Sequence, residues 1–337
     1  MIKLNLNKSS AASSGRLCVL KRAAALITAA TLTLALLFTG CPNSAGGSGG
    51  GTTPLTGTTA PTDKTYTVGG VQFTMKGIAT VTNGTVGHTD NASNNAPHTV
   101  SLTAYRIGET EVTQELWQAV MVTNPSFFDN TGNKTLGSNT YDTNITSGET
   151  QGKRPVENVN WYQCIAFCNE LTKKVPQLGE SQCVYTYNGN TYNSTDAEAQ
   201  RVPAINMSKK GFRLPTEAEW EWAAMGGRND KWAGTNEKAQ LVNYAWYDAN
   251  SGNKTHQVKL KSANGYGLYD MSGNVWEWCW DRYSSTTPTG GQDPAGAASG
   301  DYRVPRGGSW FNDAGSTARA VRSNRDNRLG LRLVSRP

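Results

Sequence analysis

The segment NVWEWCWD, residues Asn274–Asp281, alternates strictly between two kinds of side chain. This period of two predicts a β-strand with three tryptophans on one face and a glutamate, a cysteine and an aspartate on the other. The two sets are Trp276, Trp278, Trp280 and Glu277, Cys279, Asp281. Tryptophans need a large apolar core to pack against, and a carboxylate among them is costly to bury without a partner. The rest of the chain must therefore supply both a core and a partner for Glu277.

Three earlier segments have the pattern of capped helices, and one has the pattern of a hairpin. The helical segments are VTQELWQAVM, NVNWYQCIAFCNELTKK and LPTEAEWEWAAMGG, with predicted caps at Thr113, at Asn160 with Gln163, and at Thr216 with Glu219. VYTYNGNTY alternates around Asn188-Gly189 and predicts a β-hairpin. Helices followed by strands and loops predict an α+β domain, and the abundant glycine and asparagine predict much irregular structure within it.

The N-terminal 40 residues have the features of an export signal. Lys21-Arg22 precede an apolar run, Ala23 to Phe38, that ends in LFTGC and is shorter than a usual membrane span. A cysteine directly after a small residue resembles a bacterial lipobox, which implies that Cys41 becomes the lipidated N-terminus. We therefore expect a bacterial membrane-anchored lipoprotein, at the outer membrane or cell surface. The alternative is an uncleaved N-terminal anchor helix.

Composition divides the remaining chain in two. Residues 41–65 are rich in Gly, Ser, Thr and Pro, so they predict a flexible tether that cannot bury enough apolar surface to fold. Residues 66–337 contain no second stretch of that kind and are expected to form one globular domain.

The basic charge of the chain comes from its leader. The formal charge of +6 reflects 32 Lys and Arg against 26 Asp and Glu, but five of the cations precede Cys41. Removing those five leaves 27 against 26, a net charge of +1. Such a balance gives no electrostatic footprint for nucleic acid, which we exclude as a partner.

The ordered phrases of the chain resemble those of a known family. They are ETEVTQELWQAVM, RPVENVNWYQCIAFCNEL, GFRLPTEAEWEWAAMGG, GYGLYDMSGNVWEWCWDRY and RVPRGGSWFN…LGLRLV, and they span roughly Tyr66 to Val334. This order resembles the formylglycine-generating enzyme/sulfatase-modifying factor family. The resemblance implies an elaborated C-type-lectin-like α+β fold; activity does not follow from the fold alone.

The oxidase chemistry of that family is not expected here. Its oxidases bind copper through two cysteines shortly after the GGS phrase, because thiolates are the ligands suited to Cu(I). In this chain the last cysteine is Cys279, and Asn312 stands near the place of the first of the pair. We therefore expect no copper and no catalytic residues.

The cysteines of the domain allow two interpretations. Cys164, Cys168, Cys183 and Cys279 could form disulfides in an exported protein, with a connectivity that sequence cannot supply. Cys164 and Cys168 lie one helical turn apart, which suits a disulfide poorly. We favour buried thiols.

The resemblance also implies a structural calcium ion. In lectin-like relatives a calcium is held around the phrase that ends in WEW. Carried onto this sequence, its ligands are the side chains of Asp270 and Glu277 and the backbone carbonyls of Gly273 and Val275. Carboxylate and carbonyl oxygens are the ligands that calcium takes. The alternative is that Glu277 pairs with Arg306 or Arg332 and that no ion binds.

The C-terminal segment resembles the variable region of diversity-generating retroelement proteins, in which template adenines are rewritten. An AAC codon changed at its adenines cannot encode Lys, Glu, Gln, Trp or Met, and none of these occurs from Phe311 to Pro337. We take residues 306–337 as the variable region. Its predicted ligand-binding residues are Phe311, Asn312, Asp313, Gly315, Ser316, Thr317, Ser323 and Arg325. The alternative is a plain solvated loop.

Two functions therefore compete. The first is a non-catalytic surface lipoprotein that binds a protein or cell-surface ligand through a diversified C-terminal region. The second is an exported oxidoreductase of the formylglycine-generating family that acts on sulfatases or related proteins. A near-copy template and a reverse-transcriptase gene beside this gene would support the first.

Overall fold

The strand predicted from NVWEWCWD forms at Trp276–Arg282, inside an α+β domain. The computed structural model describes residues 59–89, 95–285, 291–312 and 324–337. The α-helices are α1 (Gln114–Met121), α2 (Trp161–Lys174), α3 (Ser194–Glu198) and α4 (Glu217–Met225). Short 3-10 helices lie at Gln151–Lys153, Glu180–Gln182 and Lys238–Asn243.

The strands are short and are spread over several small sheets. In chain order they are β1 (Lys64–Val68), β2 (Val71–Ile78), β3 (Val81–Val86), β4 (His98–Leu102), β5 (Tyr105–Gly108), β6 (Asn133–Leu136), β7 (Asn139–Asp142), β8 (Tyr185–Tyr187), β9 (Asn190–Thr191), β10 (Ala204–Ile205), β11 (Trp276–Arg282), β12 (Arg303–Arg306), β13 (Leu329–Gly330) and β14 (Val334–Ser335). β1 begins two residues before the expected domain boundary.

The predicted helix caps and the predicted hairpin are confirmed. The Thr113 hydroxyl accepts a hydrogen bond from the Leu116 amide at 3.4 Å. Asn160 with Gln163 and Thr216 with Glu219 form reciprocal capping boxes, so each satisfies two backbone donors at a helix start. The hairpin forms where β8 pairs with β9 around Asn188-Gly189.

Pairing between distant segments closes the domain. The last strand, β14, pairs antiparallel with β5, and the four-stranded sheet has the order β1-β2-β5-β14. β11 lies in the middle of a second sheet, antiparallel to β12 and parallel to β13. β12 and β13, which flank residues 307–328, are therefore both held against β11.

β11 separates two hydrophobic cores. Trp276 and Trp278 belong to a core built around α1 and α2, whereas Cys279 belongs to a core that contains Trp220 of α4. The predicted alternation of faces is thus confirmed, but both faces are buried. Buried indole groups find acceptors across the strand: Trp278 Nε1 donates to the Val159 carbonyl at 3.1 Å.

Glu277 has an arginine partner in this buried position. Arg332 Nη2 donates to Glu277 Oε1 at 2.7 Å, and Arg332 Nε lies 2.9 Å from Oε2. The indole of Trp220 donates to Oε2 at 2.5 Å. The remaining Arg332 donors reach the carbonyls of Gly108 and Tyr269 at 2.9 and 2.8 Å. Of the arginine partners considered for Glu277, the structure therefore shows Arg332.

Helix α4 carries further buried carboxylates that meet arginines. Glu219 forms a bidentate pair with Arg213, with both contacts at 2.6 Å. Glu221 Oε1 lies 2.9 Å from Arg306 Nη2. Both arginines are almost fully buried, so these pairs cross-link α4 to strand β12 and to the segment before the helix.

We predict that Arg332→Met lowers the free energy of unfolding by roughly 3–5 kcal/mol, because it leaves the Glu277 charge buried and uncompensated. Urea unfolding measures this loss. The matched control is Arg201→Met: Arg201 pairs with Asp196 at 2.8 Å, but its side chain is 44% exposed. Because a solvent-exposed pair contributes little to stability, Arg201→Met should unfold close to the wild type. Equal losses in the two variants would contradict the central role of the Glu277–Arg332 pair.

Candidate ligand-binding site at the C-terminal segment

Trp310 anchors the start of the predicted variable segment. Its ring is buried, and its backbone amide donates to the Asn274 carbonyl at 2.8 Å. Its indole Nε1 donates to the carbonyl of Asn327 at 3.1 Å. Ser251 Oγ donates to the Trp310 carbonyl at 2.8 Å. The Trp310 side chain thus joins the residues before and after the segment, and its backbone ties them to the loop that precedes β11.

An aromatic cluster packs around this anchor. Phe128, Tyr141 and Phe311 lie edge-on to the Trp310 ring, with centroids 5.2, 5.7 and 5.4 Å away. Below them Glu157 accepts a hydrogen bond from the Phe128 amide at 2.8 Å. Burial raises the pKa of Glu157 to about 8, so this carboxyl is held largely neutral at pH 7.

Asn312, predicted to be an exposed ligand-binding residue, is partly buried and forms hydrogen bonds to the scaffold. Its Oδ1 accepts hydrogen bonds from Trp276 Nε1 at 2.8 Å and from Ser309 Oγ at 2.7 Å. Its carbonyl also accepts a bond from the Asp248 amide at 3.3 Å. The sequence does not reveal this role, because a polar side chain in a turn carries no sign that it accepts a hydrogen bond from a tryptophan.

Phe311 and Arg325 are presented to solvent, as predicted. Phe311 is 45% exposed, and Arg325 is exposed at the other end of the segment. Arg328 lies over the Phe311 ring at 5.2 Å from its centroid and pairs with Asp326 at 2.5 Å. The ends of the segment therefore offer an aromatic ring beside guanidinium groups, a combination common in recognition surfaces.

The other predicted ligand-binding residues, Asp313, Gly315, Ser316, Thr317 and Ser323, lie outside the described residues. The structure adds Tyr141, on β7, and Phe127, which contact one another edge-on at 5.8 Å and stand at the border of the same cluster. The adjacent Phe127 and Phe128 were a signal for the first of these, since neighbouring aromatic residues in a loop require a packing partner, whereas no sequence pattern pointed to Tyr141.

The two predicted side-chain ligands for calcium, Asp270 and Glu277, differ in their hydrogen-bond partners. Asp270 is buried; its Oδ2 accepts from the Lys259 amide at 2.9 Å, and its Oδ1 has no hydrogen-bond partner within the described chain. Burial raises the pKa of Asp270 to about 6. Glu277, in contrast, has both oxygens engaged by Arg332 and Trp220. Of the two predicted side-chain ligands, Asp270 therefore has one oxygen left for a cation, whereas both Glu277 oxygens already accept hydrogen bonds.

The predicted backbone ligands, Gly273 and Val275, lie where the chain packs closely against its neighbours. Gly273 has φ of +87°, and a Cβ there would approach the Trp246 carbonyl oxygen to 2.1 Å, so only glycine fits. The amide of Val275 donates to Glu111 Oε1 at 3.0 Å. Within the described residues no group of three or more His, Cys, Asp or Glu side chains is arranged to hold a metal ion. Calcium binding stays a prediction.

The four cysteines of the domain are free and buried, which confirms the interpretation as thiols. Burial raises the pKa of Cys183 to about 11 and those of Cys164, Cys168 and Cys279 further. A buried thiol with a raised pKa is a poor nucleophile.

Comparison with known proteins places the chain in a family. The sulfatase-modifying factor enzyme 1-like domain matches residues 58–337, so the chain belongs to that family. The solved structure of Treponema denticola variable protein 1 is 52% identical with a TM-score of 0.71, and the match covers 82% of this chain and 100% of that one. The fold is therefore the formylglycine-generating-enzyme type shared with a variable protein.

Curated relatives carry differing functional names. Chaperone protein LppX of Paenibacillus barcinonensis is 33% identical over 63% of this chain and 71% of its own length. Inactive C-alpha-formylglycine-generating enzyme 2 of Bos taurus is 34% identical over 32% of this chain and 36% of its own length. Membership of the family is thus compatible with a protein that is not an enzyme.

We predict that chelation lowers the melting temperature of calcium-loaded protein by on the order of 5 °C, because an ion at Asp270 stabilises only the folded state. Asp270→Asn should abolish this response, and Asp301→Asn, at an exposed position, should retain it. Differential scanning calorimetry with and without EDTA measures both. If the melting temperature is unchanged and elemental analysis finds no ion, the Asp270 carboxyl is protonated in the folded protein and binds no calcium.

Proposed function

We propose that this chain is a non-catalytic surface lipoprotein that binds a protein or cell-surface ligand through residues 311–325. The observation that carries the proposal is the hydrogen bond from Trp310 Nε1 to the Asn327 carbonyl at 3.1 Å. It fixes the two ends of the segment to one another and to the core. Side chains between these ends can then change without loss of the supporting framework.

The pattern of contacts at each end supports the same proposal. At the first end Asn312 is bonded to Trp276. At the second end the Asp326 carbonyl accepts from the Asn158 amide at 3.0 Å and the Arg328 carbonyl accepts from the Trp276 amide at 2.7 Å. β11 thus supports both ends, as a binding loop on a rigid scaffold requires.

The alternative, an exported oxidoreductase of the formylglycine-generating family, lacks support from the residues. No cysteine follows Cys279 in the sequence, and Asn312 stands near the place of the first family cysteine, with its amide oxygen bonded to Trp276. A soft copper ligand is therefore missing where the family chemistry needs one.

We predict that replacing Asp313, Ser316 and Thr317 together (Asp313→Tyr, Ser316→Asn, Thr317→Ser) shifts the melting temperature by less than ~3 °C, since substitutions away from packed positions usually change stability by about ±0.5 kcal/mol. Asn312→Ala, which removes the acceptor for Trp276, should cost about 1–3 kcal/mol. Trp310→Ala should cost roughly 3–5 kcal/mol or prevent folding. Thermal and urea unfolding measure all three.

Binding is tested by displaying a library randomised at Asp313, Ser316 and Thr317 on yeast and selecting it against immobilised lysozyme. We expect binders whose affinity depends on these three positions. The control library is randomised at Thr135, Leu136 and Thr140, which are exposed on the β6–β7 hairpin. Binders from the control library alone, or a large loss of stability in the triple variant, would contradict the proposal.

The anchor is a separate prediction, because Cys41 lies outside the described residues. No helix within those residues is long and apolar enough to cross a bilayer. We predict that cells grown with labelled palmitate incorporate the label into the wild-type protein and not into the Cys41→Ser variant. The labelled wild-type protein should be recovered in the outer membrane fraction. Cys18→Ser, which removes the other leader cysteine, is the control and should stay labelled. Equal labelling of wild type and Cys41→Ser would contradict lipidation.

A further inference from the structure

A second concave site lies at the far ends of β11 and β12. A cavity of about 130 Å³ is lined there by Trp280, Arg282, Arg303, Val202 and Pro203, with two alanines. It shares no lining residue with the C-terminal ligand site. Val202 is 49% exposed although it is apolar, so the mouth of the cavity presents hydrophobic surface to solvent.

Two arginines face each other across this sheet. Arg282 of β11 is the direct partner of Arg303 of β12 in the antiparallel register. Like charges directly opposite one another destabilise a sheet. Burial, and to a smaller extent the neighbouring Arg282, lower the pKa of Arg303 to about 10.

Their hydrogen bonds leave these charges unneutralised. Arg303 Nη1 donates to the Trp280 carbonyl at 2.7 Å, and Arg282 Nη1 donates to the Ala298 carbonyl at 2.6 Å. Within the described chain neither guanidinium forms an ion pair with a carboxylate. Asp281, adjacent to Arg282, is buried and accepts a hydrogen bond from the Glu217 amide at 2.9 Å, and Asp301, two residues before Arg303, is exposed.

Aromatic rings fix the position of one guanidinium. Arg303 lies 3.7 Å from the ring centroid of Trp161 and 5.3 Å from that of Trp280. The two tryptophans are themselves 5.2 Å apart, and Tyr185 stacks on Trp280 at 5.5 Å. A guanidinium held this way has little conformational freedom left to lose when it binds a ligand.

We propose that this cavity binds a small organic carboxylate, with its carboxylate group between Arg282 and Arg303 and its apolar part against Trp280 and Val202. The planar guanidinium fork matches a carboxylate, and an anion removes the repulsion between the two arginines. Ligand pockets for drug-sized molecules measure ~300–1,000 Å³. A cavity of about 130 Å³ therefore selects a molecule of one ring or a short chain.

The probe for this site is benzoate, titrated by isothermal calorimetry into the folded domain and followed in parallel by tryptophan fluorescence. We expect saturable binding of one benzoate per chain. Benzamide, the neutral analogue of similar shape, should bind at least tenfold more weakly. Arg282→Gln and Arg303→Gln should each weaken benzoate binding roughly ten- to hundredfold, because each removes a charged hydrogen-bond donor.

Arg282→Gln carries the test if Arg303→Gln fails to fold, since the Arg282 side chain makes a single hydrogen bond to an exposed residue. The matched control is Arg228→Gln, whose side chain is 66% exposed and pairs with Asp230. It should bind benzoate like the wild type. Equal affinity of Arg282→Gln and wild type, or equal binding of benzamide and benzoate, would overturn the proposal. If inorganic phosphate bound more tightly than benzoate, the proposed apolar contact of the ligand with Trp280 and Val202 would be wrong.

Discussion

The burial of Glu277 on a strand with two packed faces is the constraint on which the structure depends. A carboxylate between cores is stable only with a matched cation and satisfied oxygens. Arg332 and the Trp220 indole meet this need, and Arg332 in turn bonds to the carbonyls of Gly108 and Tyr269. Because these groups come from distant parts of the chain, one charge fixes the relative placement of β5, α4, β11 and the C-terminus.

The same strand explains why the C-terminal segment can act as a binding loop in the function proposed here. β11 holds β12 on one side and β13 on the other, so the residues between those strands leave and return at fixed points. Trp310 joins these points directly through its indole, and Asn312 joins the first of them to Trp276. These contacts fix the described residues on either side of the segment through two tryptophans, Trp276 and Trp310.

Sequence patterns predicted the local structure well because their causes are local. The three helix starts followed from side chains that cap the amides within the next turn, and the hairpin followed from Asn188-Gly189. The site was predicted only in part. Phe311 and Arg325 are exposed as expected, whereas Asn312 is hydrogen-bonded to Trp276 and Glu277 is engaged by Arg332. The ligand-binding and calcium-binding roles stay predictions.

The sequence by itself determined the strand at residues 276–282, the alternation of its faces, the helix caps and the family, because period and short-range hydrogen bonding depend on neighbouring residues. Only the tertiary structure decided which arginine neutralises Glu277, which residues support Trp310, and that Arg282 and Arg303 share a cavity without a carboxylate partner in the described chain. These contacts join residues far apart in the chain, as Arg332 bonds to the Gly108 carbonyl 224 positions away, and no periodic pattern encodes such a choice. They follow from packing, which brings the partners together only when the whole core has formed.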